Sequence, residues 1–213
     1  MTGQRPTHEF VDEAVDRAVL HSVRRFDGRV LGVRTDRVDL GDGQQVERDI
    51  VVHPGAVGVV AVDDELRVLL VQQYRHPVGA LLWEVPAGLL DIQGEDPVDA
   101  AARELFEEAG YRANEWSVLI DAFSSPGGSD EAVRIYLARD LTEVAPEERH
   151  VGEDEERGMP TSWTPLSAAR EAALAGRLHN ALGVMGILAA AAVLLDGVAP
   201  GRDAGAPWFR GRR

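Results

Sequence analysis

The chain has 213 residues, enough for one substantial domain or a core domain with an appendage, and 45% of them are hydrophobic. It contains no cysteine, which removes disulfides, thiol nucleophiles and cysteine-ligated zinc, and no lysine, which removes Schiff-base chemistry and a P-loop lysine. A formal net charge of -14 argues against non-specific binding to nucleic acid. It would also repel a small anionic substrate unless metal ions and local arginines reversed the field.

The N-terminus, MTGQRPTHEF, lacks a basic region followed by an apolar stretch, so no signal peptide is visible. Residues 181–195 are too short and too rich in Ala and Gly for a membrane span, which needs about 18 or more apolar residues. A cytoplasmic protein is expected, without membrane or nucleic-acid partners. Residues 1–15 are polar and read as frayed or as a short helix. From 18 to 52 the pattern is β-like, with Gly28 and Gly41-Asp42-Gly43 at the turns, and predicts a small antiparallel sheet of its own. Two apolar runs, 56–62 and 66–74, separated by Asp63-Asp64-Glu65, read as a hairpin entering a buried sheet. A short strand at 81–85, a helix at 96–109 and strands at 116–123 and 132–138 follow. Residues 146–160 are acidic and structureless by pattern. Helices are expected at 167–175 and 179–195, and the Gly/Pro/Arg-rich end reads as disordered. The mixture predicts an α+β fold layered α/β/α around a mixed sheet. The expected division is 1–52 for the tail and N-terminal sheet, 53–196 for the main domain and 197–213 for the C-terminal tail.

The chemistry concentrates in the helix at 96–109. Asp96 is placed as N-cap, Pro97 as first helical residue and Gly110 as the C-terminal stop. Val98, Ala101, Ala102, Leu105 and Ala109 recur at helical spacing and form the buried face. Glu104 and Glu108 are four apart, with Glu107 beside them, and Arg103 can pair with Glu107. Glu107 and Glu108 lie at the negative end of the helix dipole, where an anion is disfavoured by roughly 0.3–1 kcal/mol. A divalent cation would reverse that penalty, and hard oxygen donors suit magnesium or manganese. A solvated acidic face is the plain alternative.

Gly88, Glu95, Arg103, Glu104, Leu105, Glu107, Glu108, Gly110 and Tyr111 resemble the Nudix box, G-x5-E-x7-R-E-U-x-E-E-x-G-U, where U is a bulky apolar residue. Six residues, not five, separate Gly88 from Glu95. The insertion falls in the loop before the helix and leaves the helical spacing intact. The resemblance implies a metal-dependent hydrolase. Glu104 and Glu108 would bind metal, Glu107 would ligate or support it, and the Ala87 carbonyl would complete the shell. Arg103 and Glu95 would hold the carboxylates in place.

Flanking residues point to a substrate class. Pro126, sixteen residues beyond Gly110, stands in Ser125-Pro126-Gly127-Gly128-Ser129-Asp130-Glu131, which resembles the loop of the ADP-ribose pyrophosphatase branch; an ordinary Pro-Gly turn is the alternative. Gln73-Tyr74-Arg75 and Leu82-Trp83-Glu84-Val85-Pro86-Ala87-Gly88 resemble the strand and loop entering that branch's site. By the resemblance, Arg75 would contact a substrate phosphate, Glu84 would sit near the terminal ribose and Arg48 near the adenine, with Pro126, Gly127, Gly128 and Glu131 also facing substrate. A buried Arg75–Glu84 pair and a surface Arg48 are the alternatives. The branch uses a glutamate on a mobile loop as general base. Counting back from Trp163 favours Glu155, with Glu153 and Glu156 as alternates. No role is assigned to His53, His76, His150 or His179. The implied activity is hydrolysis of ADP-ribose to AMP and ribose 5-phosphate with Mg2+ (Mn2+ possible), by a homodimer joined through the N-terminal sheet. Other nucleoside diphosphate derivatives, or a sensor that binds ADP-ribose without cleaving it, stand as alternatives.

Overall fold

The computed structural model describes residues 11–150, 158–198 and 201–210. Their strands form three sheets. In the first, β1 (Val19–Asp27), β2 (Gly32–Gly41) and β3 (Gln44–Val52) run antiparallel in chain order, as the sequence predicts. The second has the order β10 (Thr161–Pro165), β5 (Arg67–Arg75), β6 (Ala80–Glu84). The third is mixed, in the order β11 (Arg202–Asp203), β8 (Tyr111–Phe123), β9 (Ala132–Glu143), β4 (Ala56–Ala61), β7 (Ala87–Leu89), with β4 and β9 parallel.

All six residues of β4 are buried because both of its faces meet a layer. Val57, Val59 and Ala61 pack with Leu69, Tyr136 and Ala138 under Ala100, Ala101 and Leu105 of α1 (Pro97–Ala109). Val60, at the alternate position, packs with Ile135 and Leu137 against Leu166 and Ala169 of α2 (Leu166–Leu174) and Ile187, Ala190 and Ala191 of α3 (Ala181–Leu194). This is the expected α/β/α layering. α3 approaches closely through its small residues: a Cβ at Gly186 would lie 2.7 Å from Val60 Cγ2. No helix among the described residues is long and apolar enough to cross a membrane.

Two expectations need correction. The runs at 56–62 and 66–74 do not form a hairpin. β4 and β5 belong to different sheets and share only a single antiparallel bridge between Val62 and Val68: beyond it β4 pairs with β9 and β7, and β5 with β6 and β10. The tail is also not structureless over its described part, 201–210. Arg134 is almost fully buried, and its guanidinium binds both Asp121 oxygens at 2.7 and 2.9 Å. The tail supplies its remaining acceptors, the carbonyls of Ala206 and Pro207 at 2.8 and 3.2 Å. Trp208 stacks between Arg134 and Arg210, whose guanidinium carbons lie 4.8 and 4.4 Å from its ring centroid. Arg210 in turn donates to the Pro54 carbonyl.

Candidate active site

α1 begins at Pro97 and ends at Gly110, whose left-handed conformation (φ 70°) lets its N–H cap the last carbonyls. Asp96 occupies the N-cap position, although its side chain makes no capping hydrogen bond. The helix packs its Ala100, Ala101 and Leu105 face inward, which turns Arg103, Glu104, Glu107 and Glu108 toward a cleft of about 750 Å³.

Arg103 organises this acidic wall. Its Nε and Nη2 donate to the two Glu95 oxygens at 3.0 and 3.2 Å, and Nη1 donates to Glu104 at 2.6 Å and Glu107 at 3.1 Å. Glu95 is the largest influence holding the Arg103 pKa above its ordinary value; partial burial opposes it, and Glu104 and Glu107 reinforce it. Glu108 accepts the Ala87 backbone N–H at 2.9 Å, which ties the end of the helix to β7. The mostly buried Glu104 carboxylate lies against Gly88: a Cβ there would fall 2.0 Å from its Cδ and Oε1. Glycine is required at that position for a close approach.

Glu104, Glu107 and Glu108 share one wall with Ala87, and their oxygens form a hard donor set that fits a divalent cation. Among the described residues no three acidic or histidine side chains converge closely enough to hold an ion as they stand. Arg103 lies between the carboxylates instead, supplying the neutralising charge.

β5 also lines the cleft through Gln73 and Arg75, two apart and so on one face, together with Asn180 and Leu182 at the start of α3. Asn180 caps that helix by accepting the Gly183 N–H. Arg75 binds both oxygens of Glu84, at 2.9 and 2.6 Å. Arg75 therefore reaches the cleft, while Glu84, only 2% exposed, lies beneath it as a counter-ion. The paired alternative is the arrangement the structure adopts.

Glu131 also lines the cleft, beside His53, whose Nδ1 is 3.5 Å from its carboxylate; Ser124 donates to the other Glu131 oxygen. Pro126, Gly127 and Gly128 do not share this space. They line a separate recess of about 350 Å³ with Arg48 and Arg34 of the N-terminal sheet. The loop is docked there by Val51 N–H to Gly128 O, at 2.8 Å, and Asp130 N–H to Val51 O, at 3.1 Å. Glu153, Glu155 and Glu156 lie outside the described residues.

Sequence reasoning thus placed Ala87, Arg103, Glu104, Glu107, Glu108, Arg75 and Glu131 on residues that the structure gathers in one cleft. It missed Gln73, His53 and Asn180. Only Gln73 carried a local signal, its position two residues before Arg75 on a strand.

Comparison with known proteins adds the family. Residues 52–182 match the NUDIX domain. The chain is 42% identical to an ADP-ribose pyrophosphatase of Mycobacterium tuberculosis over 95% of its own length and 92% of that protein. It is 37% identical to a methanol dehydrogenase activator of Bacillus methanolicus over 76% of this chain and 85% of that one. A solved structure, described as the crystal structure of an ADP compounds hydrolase, superposes with a TM-score of 0.72 at 22% identity, covering 88% of this chain and 99% of the other. With its glutamate-bearing helix, glycine cradle and layered sheet in place, the chain belongs to the Nudix family.

Proposed function

We propose that this Nudix hydrolase cleaves the pyrophosphate of ADP-ribose, releasing AMP and ribose 5-phosphate. The observation that carries the reading is the cleft that gathers Arg103, Glu104, Glu107, Glu108 and Ala87 with Arg75, in a chain 42% identical to an ADP-ribose pyrophosphatase over 95% of its length. A divalent cation, magnesium with manganese as the alternative, would be held by Glu104, Glu108, Glu107 and the Ala87 carbonyl, where it neutralises the diphosphate and acidifies the attacking water. Arg103, anchored on Glu95, would orient the Glu104 and Glu107 carboxylates toward that cation. Arg75 steadies the charge that develops on the phosphoryl oxygens as water adds to phosphorus and the bridging P–O bond breaks; Glu84 holds its guanidinium in orientation. Glu155 accepts the water's proton, with Glu153 and Glu156 as alternates. Arg48 and the loop at 126–128 line a recess that suits the adenine end, and Glu131 faces the cleft beside them.

The reading also takes the protein as cytoplasmic and as a homodimer, and the exposed N-terminal sheet supports the second of these. Eight of the nine β1 residues are exposed, including Val19, Leu20 and Phe26, so apolar side chains stand uncovered on both faces of a three-stranded sheet. A second copy of the chain would cover them, and sedimentation equilibrium would then return twice the 23.1 kDa chain mass.

Product analysis by ion-exchange chromatography tests the activity, using ADP-ribose, ADP-glucose, NADH and diadenosine tetraphosphate with and without magnesium. AMP released fastest from ADP-ribose, and only with metal, is the expected result. Preferential cleavage of another diphosphate overturns the substrate assignment. Binding of ADP-ribose without cleavage of anything identifies a sensor instead.

A further inference from the structure

Gln73 stands out among the cleft residues. It is 8% exposed, yet its carboxamide finds no hydrogen-bond partner among the described residues. It is not a sealed polar group; among the described residues the buried partnerless side-chain atoms are Trp208 Nε1 and Arg210 Nε. Gln73 lines the cleft, so its remaining exposure is toward that space. Its amide opens on the cleft, where solvent meets it in the free protein and a ligand that expels that solvent must replace the lost hydrogen bonds. A ligand seated before Gln73 must therefore offer the amide matching partners or leave it unpaired.

The chemistry of the amide narrows what enters. A carboxamide presents one acceptor and two donors. A phosphate can satisfy only the donors, and the cleft already carries Arg75 for that charge. A hydroxyl both donates and accepts, so vicinal hydroxyls on a sugar complement the whole group. The recess beside Arg48 is separate from the cleft, which leaves a base no need to occupy the space before Gln73.

We propose that Gln73 is a specificity-determining residue that hydrogen-bonds the hydroxyls of the sugar carried on the far side of the diphosphate. This rests on the hydrolase reading above and identifies which part of the substrate the β5 wall selects. A site built to pair a substrate hydroxyl discriminates strongly against an analogue that lacks it, because its own polar group is then left unpaired.

The test compares the parent protein with Gln73→Leu on two substrates, ADP-ribose and a simple alkyl ester of ADP with no hydroxyls beyond the diphosphate. The expected result is a fall of at least about tenfold in the ratio of the two kcat/KM values. The melting temperature should be nearly unchanged, because the amide faces the cleft and holds no other described side chain in place. A ratio within about twofold of the parent's overturns the proposal. So does a large drop in melting temperature, which would mark the amide as part of the fold. Gln73→Met, unbranched and of equal length, gives the same readout if the leucine variant does not fold. If the parent cleaves a different sugar-linked diphosphate, the ADP-ribose assignment fails alone and the ratio is measured on that substrate. If nothing is cleaved, calorimetric Kd values for the same two ligands give the ratio.

Discussion

Replacing Gly88 by alanine puts a methyl group where the Glu104 carboxylate lies. The new Cβ would sit 2.0 Å from Glu104 Cδ and Oε1 and 2.5 Å from Cγ, whereas ordinary contact begins near 3.4 Å. The backbone cannot retreat, because β7 is paired to the fully buried Val57 and to Gly58 of β4. Glu104 must therefore swing aside by more than about 1 Å, giving up its 2.6 Å hydrogen bond from Arg103. A charge-assisted hydrogen bond contributes about 1.5–3 kcal/mol, and part of that returns if water reaches the displaced carboxylate. For a chain of this size 1 kcal/mol moves Tm by about 2–4 °C, so a loss of several degrees is expected. Activity should suffer far more, since a misplacement of about 1 Å in a reacting group can lower turnover about 100-fold. The assay is AMP release from ADP-ribose across a magnesium titration, beside a calorimetric melt. A Gly88→Ala protein within about threefold of parental kcat/KM would refute the claim that Glu104's placement matters.

Three further outcomes follow from the structure. Arg75→Leu strands the buried Glu84 and should destabilise the protein by about 3 kcal/mol in urea unfolding, the low end for such pairs because Arg75 is itself 39% exposed; adding Glu84→Leu should restore stability but not activity, and equal stability of the single and double variants would contradict the pairing argument. Burial works to raise the Asp36 carboxyl, but hydrogen bonds from Ser22 and Arg34 and the Arg34 charge outweigh it and leave its pKa lowered. Its contribution is therefore fully present above the unfolded value of about 3.9 and lost as pH falls through the lower folded value, so Asp36→Asn should flatten the acid limb of a melting-versus-pH curve; superimposable curves would count against it. Trp208→Ala removes the ring between Arg134 and Arg210 and should lower stability by about 1–3 kcal/mol by calorimetry, whereas an unchanged Tm would mean the tail docks without consequence.

What could be read from the sequence was what neighbours in sequence decide. Pro97 and Gly110 bound α1 because proline fits the first turn and glycine tolerates the left-handed cap, and the 3.6-residue period fixes which side bears the glutamates. Nothing local reports which strands meet. β7 is three residues long and exists only because β4 lies beside it. β5 and β4, adjacent in the chain, lie in two different sheets, β4 beside β9 and β7 and β5 between β10 and β6. Arg134 reads as one more arginine on a strand until Asp121 and the carbonyls of Ala206 and Pro207 surround it. Arg75 and Glu84 look like two substrate ligands in the sequence; across the β5–β6 ladder Arg75 faces Ala80 and Glu84 faces Val71, and it is the length of the two side chains that brings the guanidinium onto the carboxylate. His53 has no metal-ligand spacing, and its place beside Glu131 depends on the loop that docks against β3.

The parallel pairing of β4 with β9 has a kinetic consequence. Residues 62–131 intervene between the two strands, and they include β7, α1 and the Arg75 end of β5. α1 can form from its own turn-to-turn contacts, with its glutamates already on one side, but the β4–β9 surface on which its apolar face packs is not in place until that long loop has closed. Helix signal and catalytic competence therefore belong to different stages of folding: the first reports a local event, the second the late meeting of two distant strands.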